Sequence, residues 1–143
     1  MPEPSKIEVR KVSDPIELEK VFAIRREVFV VEQGCPPDLE VEFNDQSTHF
    51  LVTVNGEPGG ACRWRQTDKG YKLERFAVLK KFRGFGVGQE MVRAVLAALP
   101  ADAKYVYLHA QLDAVTLYER FGFEKNGPEF EEAGIRHYKM VRK

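Results

Sequence analysis

The sequence predicts an α/β fold with a mixed sheet and helices packed on both of its faces. Three observations lead there. Residues 49–78 read as three strands separated by tight turns, an apolar pattern of helical period runs from Val87 to Leu99, and the remaining chain alternates strand, helix and strand. With 143 residues, 43% of them hydrophobic, the chain suffices for one core and is short for two, so a single domain over residues 1–143 is expected.

Asp14-Pro15 reads as an N-cap with proline at the first helical position, and Glu17 completes a capping-box-like signal. Leu18, Val21, Phe22, Arg25 and Phe29 then keep helical spacing. The helix should end before "EQGCPP", where Gly34, Pro36 and Pro37 forbid its continuation. "PPDLEVEFNDQ" reads mostly as loop. "HFLVTV", the hairpin signal Asn55-Gly56, "GGACRWRQ", a turn at Lys69-Gly70 and "YKLERFAV" make an antiparallel meander. Val87, Met91, Val92, Val95, Leu96 and Leu99 mark the second helix, which Pro100 closes. "KYVYLHAQ" is a β-prone run, "DAVTLYERFGF" a short helix capped by Gly122, and "RHYKMV" a last strand.

Composition removes several function classes. Lysine plus arginine and aspartate plus glutamate are 22 each, so no overall field draws nucleic acid or an anionic membrane. Cys35 and Cys62 are too few for a disulfide framework or a cysteine zinc cluster, and no metal is expected. No apolar h-region follows Met1, and no stretch approaches the roughly 20 apolar residues that span a bilayer. A cytoplasmic protein with reduced thiols is the expectation.

The chemistry concentrates at "RGFGVGQE", Arg83 to Glu90, where three glycines stand at the mouth of the second helix. A Walker loop would need lysine and a hydroxyl where Gln89 and Glu90 stand. A dinucleotide fingerprint would need G-x-G-x-x-G within a βαβ unit, whereas Gly84, Gly86 and Gly88 are evenly spaced after a meander strand. Two readings survive. Backbone N–H groups at the positive end of the helix dipole, with Lys80, Lys81 and Arg83 beside them, suit a pyrophosphate; or the glycines simply let the loop turn sharply.

"VLKKFRGFGVGQEMV" resembles the R-x-x-G-x-G core of the GNAT superfamily of N-acetyltransferases, carried by Arg83, Gly86 and Gly88. "AQLDAVTLYERFGF" resembles a second family segment, A-x(7)-Y-E-[KR]-x-G-F. Two motifs in the right order, about 25 residues apart, carry the resemblance. "IRREVFVVEQGCPPDLEVEFND" and "EEAGIRHYKM" are similar to the ElaA-like branch, so it covers nearly the whole chain.

The resemblance implies the GNAT acyltransferase fold, with about six to seven mostly antiparallel strands, and an N-acetyltransferase that uses acetyl-CoA as cosubstrate. It implies that the main chain of Arg83, Gly84, Phe85, Gly86, Val87 and Gly88 receives the pyrophosphate. Phe76, Ala77 and Val78 would offer main-chain groups to the pantetheine arm beside a bulge. Gln111, where relatives often carry asparagine, would be a further cofactor contact. Tyr118 matches the general acid, with core packing on Phe121 and Phe123 as the alternative. Glu74 is the candidate base, expected on the same face as Phe76 and Val78, with pairing to Arg63 or Arg65 as the alternative. Arg25, Glu32 and Arg63 are candidates for the acceptor site, each otherwise a structural charge. His109 and His137 are expected to be structural.

The acceptor implied is a primary amine, most simply of a small molecule, attacking directly in a ternary complex. Two alternatives stand beside it: a non-catalytic acyl-CoA-binding or regulatory module, and an enzyme modifying lysine or N-terminal amines of proteins. A homodimer through a sheet edge or the C-terminal strand is possible.

Overall fold

The computed structural model describes residues 6–142. Ile7–Val12 forms β1, an edge strand that lies ahead of the first element expected from sequence. Its apolar Ile7 and Val9 pack on the core while Glu8 and Arg10 stay outside, the alternation of a half-buried strand. Asp14 then caps α1 (Pro15–Arg25), its carboxylate accepting from the N–H of Ile16 at 2.7 Å. The helix widens into a π-helical segment, Arg26–Glu32, and Gly34 (φ 75°) ends it as expected. Between Pro36 and Ser47 lie only the single turn α2 (Pro37–Glu40) and a short 3-10 turn, in keeping with a segment that reads mostly as loop.

The meander forms as the turn signals require. β2 (Ser47–Val54), β3 (Glu57–Gln66) and β4 (Tyr71–Val78) pair antiparallel, and Asn55 and Gly56 both adopt positive φ at the first hairpin. After α3 (Val87–Ala98), β5 (Val106–Gln111) pairs parallel to β4. Then come α4 (Val115–Glu119), β6 (Phe123–Lys125), β7 (Phe130–Glu132) and β8 (Ile135–Arg142). The strands form one mixed, mostly antiparallel sheet of eight in the order β1-β2-β3-β4-β5-β8-β6, with β7 also on β8. Helices cover both faces. β8 is paired on both sides, to β5 and to β6 and β7. Among the described residues, no helix is long and apolar enough to cross a membrane.

The sheet separates two cores. On one face, α3 and α4 bury Val87, Met91, Val92, Val95 and Val115 against Val52, Leu73, Leu108 and Met140. On the other, α1 and the start of its π-helical extension bury Val21, Ile24 and Val28 on Leu51, Ala61 and Ala77.

β4 and β5 pair only from Tyr71–Leu73 to Val106–Leu108, and then part. Opposite the gap, the β3–β4 register slips between Ala61/Ala77 and Arg63/Glu74, so β4 carries one extra residue there. Arg75 sits in the bulge at φ 58°, a left-handed conformation for a residue with a Cβ. Its side chain is held from outside: Nε donates to the Glu40 carbonyl at 3.2 Å and Nη2 to that of Leu39 at 3.0 Å. Glu40 is itself fixed by Arg25, whose Nε donates to Oε2 at 2.6 Å and whose Nη2 donates to the Glu40 carbonyl at 2.7 Å. Arg25 is 0% exposed and Glu40 3%.

Glu40→Ala leaves Arg25 buried without its carboxylate, and breaking such a pair from one side costs about 3–5 kcal/mol. A denaturant midpoint that falls accordingly in equilibrium unfolding is the expected outcome.

Candidate functional site

The gap between β4 and β5 opens into a cavity of about 160 Å³. The bulge decides which side chains reach it from which side. Regular alternation would place Glu74 with Phe76 and Val78; the extra residue breaks that pattern. Phe76 and Val78 pack in the core on the α3 face with Leu73, whereas Ala77 belongs to the core on the α1 face. Glu74 turns to that same α1 face, where Arg63 stands beside it on β3. The shared face expected for Glu74, Phe76 and Val78 is therefore corrected by the bulge.

On the α3 face, Tyr118 lines the cavity from α4. Its ring meets Phe76 edge-on at 5.8 Å and Phe123 at 6.0 Å, so it is packed in the core as well as facing the gap. Its hydroxyl makes no hydrogen bond to the described residues. Burial, with the Cys62 thiol adding a smaller push, raises the phenol well above its ordinary range. Tyr118 therefore keeps its proton at neutral pH.

The glycine loop lies at the end of β4 on this side. Gly84 and Gly86 adopt φ 87° and 84°, conformations that side chains rarely take, and a Cβ at either would meet no atom within 4 Å. The space in front of the loop is open. Gly86 stands at the N-cap of α3 with no side chain satisfying the first helical N–H groups. An anionic group fits that cradle on both shape and dipole. Gly88 has a separate constraint, because its Cβ would lie 3.3 Å from Leu117 Cδ2, where α3 meets α4. From Glu74 onward the β4 main chain lacks β5 partners. Arg83 Nε, however, donates to the Val78 carbonyl at 2.9 Å and its Nη2 to Glu32 Oε1 at 2.8 Å.

On the α1 face, the lining is polar. Glu74 accepts from Arg63 Nε at 3.1 Å, from Arg65 Nε at 2.8 Å and Nη2 at 3.3 Å, and lies 3.0 Å from Lys72 Nζ. Burial alone would raise its carboxyl, but the hydrogen bond from Arg65 and the charges of Lys72 and Arg63 outweigh it and bring the pKa to about 2. The cross-strand pairing left open by sequence is thus what the structure contains. Gln111 turns to this face too, its Nε2 donating to Gln33 Oε1 at 3.0 Å across the gap.

The residues expected at the acceptor site are distributed differently. Arg25 and Arg63 are each 0% exposed and lie outside the cavity lining, one bound to Glu40, the other to Glu74 and, through Nη1, to Asn44 Oδ1 at 2.9 Å. Both act beneath the site. Glu32 is drawn to Arg83, beside the glycine loop. The side chains that do line the cavity on the α1 face include Lys72, His109, Glu132 and His137. His109 Nδ1 donates to Glu132 Oε1 at 3.0 Å. Both histidines read as structural in the sequence; the signal that places His109 at the cavity is period-two alternation, which puts it and Gln111 on one face of β5.

The same architecture recurs among known proteins. The family described as "Acetyltransferase (GNAT) domain" matches residues 11–143. "Uncharacterized N-acetyltransferase YjcF" of Bacillus subtilis is 40% identical over 129 residues, covering 88% of this chain and 92% of that protein. Among solved structures, Escherichia coli ElaA superposes with a TM-score of 0.81 at 28% identity, covering 96% of this chain and all of that one. An acyl-CoA N-acyltransferase from Pseudomonas aeruginosa superposes with a TM-score of 0.81 at 29% identity, covering 97% and 99% of the two chains. The chain belongs to the GNAT family of acetyltransferases, whose general activity is acyl-CoA-dependent acetyl transfer.

Proposed function

We propose that this protein, as one domain of the ElaA-like branch, transfers an acetyl group from acetyl-CoA to a primary amine of a small molecule by direct attack in a ternary complex. The observation that carries the reading is the gap between β4 and β5, which opens a cavity with a polar wall on the α1 face and, on the α3 face, an apolar wall bearing the Tyr118 phenol. The cavity volume, about 160 Å³, is of a size for a small acceptor. The similarity to ElaA, at 28% identity, supports the branch.

Bound acetyl-CoA supplies the activated thioester; the rest falls to this chain. Backbone N–H groups from Arg83 to Gly88 receive the pyrophosphate in the cradle that Gly84 and Gly86 leave bare. The unpaired β4 main chain at Phe76 and Ala77 takes the pantetheine arm as an added strand would be taken, and Val78 joins them once Arg83 releases its carbonyl. Tyr118, kept protonated by burial, donates to the sulfur as the C–S bond breaks. Glu74 serves as the counter-ion that gathers Arg63, Arg65 and Lys72 under the cavity; a carboxylate with a pKa of about 2 is too weak a base to take a proton from an amine.

Calorimetric titration should give selective binding of acetyl-CoA over ATP, weakened at least about tenfold in Gly86→Val, because a branched Cβ there strains the loop and enters the cradle. Unchanged affinity would return the glycines to a turn-forming role. Tyr118→Phe should lower kcat by about 10²–10³-fold with acetyl-CoA affinity within about twofold, the signature of a group used only in the transition state. Binding without turnover of any amine would favour the non-catalytic reading.

Glu74 also predicts an acid limb of stability. Its folded pKa, about 2, lies below the ordinary 4.5, so its contribution is complete above pH 4.5 and is lost as pH falls towards 2. Glu74→Gln should therefore be less stable than the wild type at pH 7, with the difference in denaturant midpoint shrinking below pH 4.5.

A further inference from the structure

We infer that His137 is the general base of this enzyme, with Nε2 as the atom that takes the proton from the acceptor amine. The inference rests on the acetyl-transfer reading and adds to it the residue that makes the acceptor nucleophilic.

Three observations carry it. The first is the tautomer. His137 Nδ1 lies 2.7 Å from the Ile135 carbonyl oxygen, which can only accept, so Nδ1 carries the ring proton. In the neutral imidazole, Nε2 is then a bare lone pair. It makes no hydrogen bond to the described residues, its nearest charged neighbour being Glu132 Oε2 at 3.9 Å. A buried histidine that lines a cavity and keeps Nε2 free of hydrogen bonds is placed to receive a proton there.

The second is fixation of the ring. Phe130 stacks on it at 5.8 Å with an interplanar angle of 23°, and His109 packs edge-on against the other end of this aromatic group, 5.0 Å from Phe130. Together with the Nδ1 bond, this holds the lone pair in one direction. Glu132, paired to His109 at 3.0 Å, stands beside Nε2 and meets the positive charge once the imidazole is protonated. The other charged groups at the cavity are Lys72, Glu74 and Arg75 from β4 and Glu40 from α2. Glu74 is occupied by three cations, and Glu40 by Arg25.

The third is position relative to the acid. His137 pairs with Gln111 across β5 and β8, while Met140, three residues along β8, belongs to the core on the α3 face. Alternation thus turns His137 to the α1 face, opposite Tyr118, and both line the one cavity. Base and acid thus reach the one cavity from opposite faces of the sheet, so a proton can be taken from the acceptor nitrogen by one group and given to the departing sulfur by the other.

The protons balance. An acceptor ammonium gives one proton to His137 Nε2, and the freed lone pair forms the C–N bond as the C–S bond breaks. Sulfur takes the Tyr118 proton, the second proton of the amine nitrogen restores the phenol, and the imidazolium releases its proton to solvent.

His137→Asn tests the assignment, because the asparagine amide can still donate to the Ile135 carbonyl but presents no lone pair at the Nε2 position. With ethanolamine, putrescine, glucosamine and lysine as acceptors, kcat/KM should fall by about 10²–10⁴-fold. Acetyl-CoA affinity by calorimetry should stay within about twofold. Long-range ¹⁵N–¹H correlation spectra of the wild type, needing no turnover, should show His137 protonated at Nδ1 and bare at Nε2. His137→Gln is a second variant if the first fails to fold, and the spectra test the tautomer in either case. A proton on Nε2 in the neutral ring, or turnover in the variant at the wild-type rate, overturns the base assignment and leaves acetyl transfer standing. A wild type that binds acetyl-CoA and acetylates no amine overturns the transfer reading, and the base role with it.

Discussion

At Arg75 the backbone of β4 takes a left-handed conformation that costs a residue bearing a Cβ about 1–3 kcal/mol and has to be held by its surroundings. The holding comes from a relay of buried charge. Arg25 on α1 binds Glu40, the backbone of Leu39 and Glu40 accepts the Arg75 guanidinium, and Arg75 fixes the bulge. A helix, a single turn and a strand are thereby tied at one point. Without the extra residue, Glu74 and Phe76 would share a face and the two walls of the cavity would not have their separate chemistries.

The bulge also explains why β4 and β5 part where they do. Parallel pairing holds through Leu73 and Leu108, immediately before the irregularity, and the strands diverge beyond it. The main chain freed on β4 is what an extended ligand can pair with, and the glycine loop at its end leaves uncapped N–H groups for an anion. The free β4 main chain and the cavity are two consequences of one local departure from regular strand geometry. The π-helical widening of α1 at Arg26–Glu32 serves the same region, placing Glu32 against Arg83 and Gln33 against Gln111 across the gap.

A chain with no net charge still builds a strongly structured field at its cavity. Arg63, Arg65 and Lys72 converge on one carboxylate, and burial of that group raises the energetic stakes of each pairing. The result is an ionised, hydrogen-bonded Glu74 on the α1 wall and a protonated Tyr118 on the α3 wall, set apart by environment. Composition alone carries no trace of this division.

The sequence by itself determined the meander, the two longer helices, the glycine loop and its family, because those depend on local signals: Asn55-Gly56, the Asp14 cap, helical spacing from Val87, and two motifs of fixed spacing. It also carried the alternation of β1, in the unassigned stretch before Asp14, and the place of Tyr118. Only the tertiary structure decided which residues meet at the cavity. Whether Glu74 is an open carboxylate or a triply paired one depends on a cross-strand register, and its face depends on a one-residue bulge held by a helix fifty residues earlier in the chain. Arg25 and Arg63 look like surface charges in sequence and become buried struts for the same reason. His137 shows it most plainly: its character is set by a carbonyl two residues away, a phenylalanine on β7 and a carboxylate at 3.9 Å, contacts that exist only once the strands have paired.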